Sequence, residues 1–231
     1  MQKLALVIVD LQNDFLPPHG SLAVPGGNEI INNIINLLDP HKYRFLAVIA
    51  TQDWHPSDHC SFASQHGSEP YTSKVFEHPE NKKDQHGKTI TLNQTLWPDH
   101  CIQNTEGAEL ELEFEKVFNK LEVPHTIIKK GYLKDREYYS CFGDCWDLHH
   151  TEINQYLKDN GITDVVFAGL AYDYCVLQSA IDSVKKGYKT YVVKEACKNV
   201  YPQKMPLTDN IYRSHGITVT HVNDFFLTKF Q

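Results

Sequence analysis

Six short runs rich in apolar and β-branched residues, at 4–10, 45–51, 126–130, 165–171, 190–194 and 218–222, recur along the chain with helix-like patterns between them. Several of these runs are almost wholly apolar instead of alternating, as strands buried on both faces of a parallel sheet are. Between them Ile30, Ile31, Ile34, Ile35 and Leu38 share one face and stop at Pro40. Leu110, Phe114, Val117, Phe118 and Leu121 do the same behind an acid-rich first turn that suits the helix dipole. Ile153, Tyr156 and Leu157 follow Thr151, the expected N-cap, and Gly161 is placed to end that helix. Val176, Leu177, Ala180, Ile181 and Val184 form another face, closed by Gly187. Alternating strands and helices predict an α/β fold of three layers, α/β/α, with a mainly parallel central sheet covered on both faces.

A length of 231 residues is compatible with one such domain, 1–231. Hydrophobic residues make up 41% of the chain and charged ones 22%, enough for a real core and unlike a disordered composition. The net charge of −7, with no run of Lys or Arg, argues against a nucleic-acid or anionic-membrane surface. No apolar stretch approaches the roughly 20 residues of a membrane span, and the run at 4–9 is too short for a secretory signal. The six cysteines then read as reduced thiols of a cytoplasmic protein, with the C-x-x-x-C pair Cys141 and Cys145 structural. One stretch breaks the pattern. Residues 52–106 show no sustained period, and so long an irregular segment is expected to be functional or mobile; its part at 74–91 reads as a solvated insertion.

Ligands of open α/β sheets bind beyond the carboxyl ends of the strands. Asp10 and Lys130 close two of the expected strands, and Cys175 follows a third at a helix start. A thiol there feels the positive end of the helix dipole, and free N–H groups can hold a thiolate or a developing oxyanion. Taken singly, each residue is more simply a turn, a cap or packing. Together they supply a nucleophile, a base and a cation to keep that base ionised. A second constellation is Asp53 and His55, two apart in an extended segment and so on one side of it, with His100 further on. A carboxylate and two imidazoles make a three-ligand metal site with positions left open, as in catalytic zinc sites. His59, His66, His78 and His86 lie nearby in the sequence and read as surface histidines before ligands.

These residues sit in motifs that resemble, over nearly the whole chain, the nicotinamidases of the isochorismatase-like hydrolase superfamily. The motifs are Val9-Asp10-Leu11-Gln12-Asn13-Asp14-Phe15, Gly20-Ser21-Leu22-Ala23-Val24-Pro25-Gly26, Thr51-Gln52-Asp53-Trp54-His55-Pro56 and Trp97-Pro98-Asp99-His100-Cys101. Lys130-Gly131 with Asp135-Arg136-Glu137-Tyr138-Tyr139-Ser140, and Gly169-Leu170-Ala171-Tyr172-Asp173-Tyr174-Cys175-Val176, complete the set. The resemblance implies hydrolysis of nicotinamide, and of pyrazinamide, through a Cys175 thioester, with Asp10 as proton acceptor and Lys130 as its ion partner. It implies an oxyanion hole from the Ala171 and Cys175 N–H groups, with a cis peptide bond between Leu170 and Ala171. It further implies one divalent metal ion on Asp53, His55 and His100, zinc before iron or manganese, and no organic cofactor. Phe15, Trp97 and Tyr139 would wall the ring, and a homo-oligomer is possible within the resemblance. Three rivals stand beside it: a sibling amidase on the same fold, a metal–water hydrolase in which Cys175 only packs, and a binding protein that has kept the fold without catalysis.

Overall fold

The computed structural model describes residues 2–224, 227 and 228. In chain order the elements are β1 (Leu4–Val9), α1 (Ile31–Leu37), β2 (Ala47–Asp53), β3 (Ser73–Glu77), β4 (Thr91–Thr95), α2 (Leu112–Phe118) and β5 (His125–Lys130). There follow α3 (Ile153–Asp159), β6 (Asp164–Leu170), α4 (Cys175–Lys185), β7 (Lys189–Lys198), α5 (Met205–Ser214) and β8 (Thr218–Thr220). The main sheet has the order β5-β2-β1-β6-β7-β8, and every neighbouring pair in it is parallel.

The apolar runs are explained by what lies on each face. Along β1, Leu4, Leu6 and Ile8 enter one core cluster with α1 and α2 residues Ile34, Leu37, Phe114 and Phe118. Ala5, Val7 and Val9 enter the opposite cluster with Ile153 and Leu157 of α3, Val176 and Ala180 of α4, and Tyr212 of α5. Three layers result, as the strand–helix alternation predicts. Removing a buried side chain from β1, such as Ile8→Ala, costs about 2–5 kcal/mol in cores of this kind.

All six expected strands are present with shifted ends. β2 runs two residues further, to Asp53, and β7 reaches Lys198 across a register shift opposite Phe167 and Gly169. Glu152, directly before α3, already has helical backbone angles and makes no side-chain cap bond; the Thr151 hydroxyl oxygen accepts from the Ile153 N–H at 3.4 Å, as an N-cap does, and donates to the Cys141 carbonyl. Two elements lie outside the sequence expectation. One is α5. The other is an antiparallel hairpin, β3 against β4, inside the stretch that shows no period. Both of its strands are largely exposed, so no face demands alternation.

The strand order reverses between β1 and β6, and this switch point positions the site. Four adjacent strands, β5, β2, β1 and β6, end beside it, each about 4.8 Å from the next.

Candidate active site

Lys130 ends β5, Asp53 ends β2, Asp10 follows β1, and Cys175 opens α4 after β6. Because these strands are neighbours, residues up to 165 positions apart meet at one end of the sheet. The Lys130 ammonium lies 2.9 Å from Asp10 Oδ2 and 2.6 Å from Asp53 Oδ1, 3.6 Å from Cys175 Sγ and 3.0 Å from the Tyr138 carbonyl. The reactive atoms of Asp10, Asp53 and Cys175 all lie within 4.8 Å of one another, around a position that this ammonium fills.

One buried cation cannot neutralise two carboxylates equally. Burial raises the Asp10 carboxyl, Lys130 lowers it and the Asp53 charge raises it again, leaving it at about 6. Thr51 Oγ1 donates to its Oδ1 at 2.5 Å. Asp53 is also penalised by burial, but Lys130 and the two histidines hold it ionised, well below the usual range. Asp10 is therefore the group placed to take up a proton near neutrality. Cys175 departs from the sequence expectation. Burial pushes its thiol well above the ordinary value, and Lys130 only partly offsets this; the thiol needs a base.

The second constellation shares Asp53. Its Oδ2 faces His55 Nε2 at 3.6 Å and His100 Nε2 at 4.0 Å. The other ring nitrogens are occupied: His55 Nδ1 is 2.8 Å from the Gly131 carbonyl and His100 Nδ1 is 2.7 Å from that of Pro98. Such bonds fix the tautomer that leaves Nε2 free to ligate. Burial and the neighbouring His55 push His100 down to about 4, so it stands neutral, as a ligand must. His55 Nε2 is buried without a hydrogen-bond partner, a costly condition that a metal ion bound by Asp53, His55 and His100 removes. These donors fit a divalent ion. Gly131 is constrained by the same site: its φ is +73°, and an added Cβ would lie 2.4 Å from His55 Cε1.

His59 corrects the surface expectation. It is fully buried, stacks on His55 with centroids 4.0 Å apart, and spends both nitrogens on Ser61 Oγ and the Arg136 carbonyl at 2.8 and 3.0 Å. His78 is buried too. His66 is half-buried and His86 exposed.

Both constellations open into one cavity holding about 400 Å³ of empty space, mouth included. Phe15, Trp97 and Tyr139 line it with Asp53, His100, Ala171 and Cys175. Trp97 Nε1 donates to Tyr139 Oη at 3.0 Å, locking two of these walls together. A roomier cleft beside Asp144 and Lys185 lacks such convergence, since its Asp144 carboxylate is taken by the N–H groups of Trp146, Leu148 and His149. The peptide bond between Leu170 and Ala171 is cis. Gly169 before it has φ +116°, and any Cβ there would meet the Val9 carbonyl oxygen at 2.1 Å. Among the described residues, the Ala171 and Cys175 N–H groups donate to no backbone acceptor.

Sequence reasoning assigned no part to Gln12 or Glu137. The Gln12 side chain grips the Asp53 backbone from both sides, Nε2 to its carbonyl and Oε1 from its N–H, each at 2.8 Å. Glu137, a buried carboxylate in the cavity wall, carried a signal only as part of the Asp135–Ser140 motif.

A thiol, a base and a lysine at the carboxyl ends of a parallel sheet, beside a three-ligand site, define the class to which the comparisons point. The chain belongs to the isochorismatase-domain family, which matches residues 4–224. It is 37% identical over 218 residues to the nicotinamidase of Saccharomyces cerevisiae, covering 93% of this chain and 97% of that one. To the nicotinamidase of Escherichia coli it is 40% identical over 210 residues, 88% and 87% of the two chains. A crystal structure of the yeast nicotinamidase bound to the inhibitor nicotinaldehyde superposes with a TM-score of 0.84 at 35% identity, over 94% of this chain and 99% of that one. The pyrazinamidase of Pyrococcus horikoshii in complex with zinc gives 0.69 at 28% identity, over 95% and 99%.

Proposed function

We propose that this chain is a nicotinamidase, an amidohydrolase that converts nicotinamide and water to nicotinate and ammonia and accepts pyrazinamide as well. The observation that carries the reading is the junction at Lys130, whose ammonium touches the thiol, the base and a carboxylate of the three-ligand site at once. Relatives of this length and identity that carry the same activity support it.

Asp10 takes the proton of Cys175, and the thiolate attacks the carboxamide carbon while the carbonyl electron pair moves to oxygen, where the Ala171 and Cys175 N–H groups receive it. The tetrahedral species collapses, the C–N bond breaks, and ammonia leaves with the proton returned by Asp10. Water then loses a proton to Asp10 and attacks the thioester carbon; the C–S bond breaks, Asp10 returns the proton to the departing thiolate, and the acid released ionises to nicotinate. Asp53, His55 and His100 would hold a divalent ion, zinc by donor type, which supplies a Lewis-acid position for the pyridine nitrogen. Phe15, Trp97 and Tyr139 bound the ring, and a raised Asp10 is poised for both proton transfers.

The test is ammonia release from nicotinamide by purified protein whose metal content is measured in the same sample, repeated with Cys175→Ala. The expected result is turnover by the parent chain, none by the variant at unchanged metal content, and a nicotinoyl adduct on Cys175 alone by mass spectrometry. Near-parental turnover by Cys175→Ala would give the reaction to metal–water chemistry instead.

A further inference from the structure

The loop at 171–174, which carries one proposed oxyanion donor, Ala171, and leads directly into the other, Cys175, is fastened from behind by α5. Tyr212 Oη, on α5, donates to the Tyr172 carbonyl at 2.6 Å, and the two rings are in contact at a tilt of 49°, with centroids 4.7 Å apart. The Tyr172 hydroxyl donates in turn to Asp209 Oδ1 at 2.8 Å, and the other oxygen of Asp209 holds Lys194. Other groups of the loop are committed as well. Tyr172 N–H donates to the Lys198 carbonyl at 2.8 Å, and the Ala171 carbonyl accepts from Tyr174 and Val176 at 3.0 and 3.1 Å. The Asp173 carboxylate accepts from the Val200 and Tyr201 N–H groups at 2.8 and 3.0 Å.

Three side chains of α5 are buried, Thr208, Asp209 and Tyr212, and two of them direct their polar atoms onto Tyr172. None of Tyr172, Asp209 and Tyr212 lines the cavity. An oxyanion hole works only if its donors stand where charge develops, and it must hold that geometry before the reaction begins. Small displacements of such groups are expensive: about 1 Å can cost up to about 10² in rate.

We propose that Tyr212 and Asp209 are positioning residues, through which α5 fixes the 171–174 loop so that the Ala171 and Cys175 N–H groups point at the reacting carboxamide oxygen. The proposal rests on the nicotinamidase reading and on Cys175 as nucleophile. It separates this role from simple support of the fold, because ring binding and metal binding involve other residues and should not change.

The experiment compares Tyr212→Phe and Asp209→Asn with the parent chain. Kinetics on nicotinamide are joined by inhibition by nicotinaldehyde, binding of nicotinate, metal content and melting temperature. Nicotinaldehyde is the informative probe. When the Cys175 thiol adds to its carbonyl carbon, the thiol proton passes to Asp10 and the C=O electron pair to oxygen, so the adduct needs the same donors as the reaction. Nicotinate fills the site without that adduct. For Tyr212→Phe, kcat falls on the order of tenfold and nicotinaldehyde inhibition weakens by a similar factor, while KM, nicotinate binding and metal content stay parental. Should Tyr212→Phe fail to fold, Asp209→Asn, which keeps the Tyr212 hydroxyl, must still show a smaller loss confined to kcat and aldehyde inhibition. Parental kcat and aldehyde inhibition in the folded variants, or a loss in which KM and metal content change together with kcat, overturns the proposal. A parent chain that does not hydrolyse nicotinamide defeats the functional reading, and this one falls with it; an active parent with parental variants defeats this one alone.

Discussion

Lys130 is the residue on which the two halves of the site depend. Its ammonium is fully buried and within contact distance of two carboxylates and a thiol. Methionine at this position would leave Asp10 and Asp53 facing each other with no cation between them, and uncompensated buried charge of this kind costs about 3–5 kcal/mol. Asp10 would answer by holding its proton, and a protonated Asp10 cannot accept one from Cys175. Asp10→Asn has the same chemical consequence by another route. General acid–base help is worth about 10²–10⁴ in rate, and residues that share one task are strongly non-additive. The expected outcome is a large loss of kcat/KM in Asp10→Asn, and a much smaller further loss when Lys130→Met is added to it than when Lys130→Met is made alone. A double-mutant cycle on kcat/KM checks this, and additive losses would mean that the two residues serve separate ends. Metal content supplies a second readout, since Lys130 also holds Asp53 Oδ1: it should fall in Lys130→Met and remain in Asp10→Asn.

Among the elements, α5 couples stability to pH. Burial would raise the Asp209 carboxyl, but hydrogen bonds from Lys194 and Tyr172 outweigh it and hold the group below its ordinary value. A carboxylate lowered in the folded chain contributes stability above its unfolded value of about 4, and that contribution is lost as pH falls through the folded value. Hydrogen bonds to a charged group are worth roughly 1.5–3 kcal/mol. Asp209→Asn should therefore melt lower than the parent at pH 7, with the gap closing as both are titrated toward pH 3; a gap that stays constant across that range would show the carboxylate charge to be irrelevant. The same helix marks where the sequence stops being legible. Strands β1, β2 and β6 are readable because sheet neighbours and helices cover both faces, which forces continuous apolar runs. Helix α5 buries Thr208 and Asp209 beside Tyr212 and leaves Leu207 exposed at 59%, while Met205 and Ile211 are only partly buried against the core, so its inner face mixes polar and apolar residues and is hard to recognise from the pattern. The β3–β4 hairpin is hidden for the complementary reason, having almost no buried face. At the site, Asp10, Lys130 and Cys175 were legible from their places at strand ends and Asp53, His55 and His100 from ligand type. The burial of His59 behind His55, and the Gln12 grip on Asp53, depend on contacts between distant segments that spacing alone does not encode.

For the molecule as a whole, the parallel order β5-β2-β1-β6 brings a thiol-and-base centre and a three-ligand centre into one cavity, and this raises the question of what a metal ion adds. In the proposed mechanism the bond-breaking sequence is complete without it, with Asp10 activating the thiol and backbone N–H groups receiving the oxyanion. Its contribution is expected in recognition. Asp53 and His100 of the three-ligand site line the cavity together with Cys175 and Ala171, and Phe15, Trp97 and Tyr139 line it as well. A ring whose nitrogen is held at the three-ligand site would present its carboxamide to the thiol, and fixing that orientation lowers the barrier without chemistry at the ion. A site built to receive a polar atom also rejects an analogue that lacks it. Benzamide, with the same ring and amide but no nitrogen, should then have kcat/KM at least about a hundredfold below that of nicotinamide, a difference of roughly 2.7 kcal/mol. Pyrazinamide keeps a nitrogen at the matching position and should remain a substrate. His100→Ala should lose metal and nicotinamide turnover together, while Cys175 still reacts with a small alkylating agent, because the thiol, Asp10 and Lys130 remain in contact. Steady-state kinetics on the three amides, with metal content and alkylation followed on the same preparations, decide the matter: equal kcat/KM for benzamide and nicotinamide on the metal-loaded protein would remove recognition as the reason for the three-ligand site.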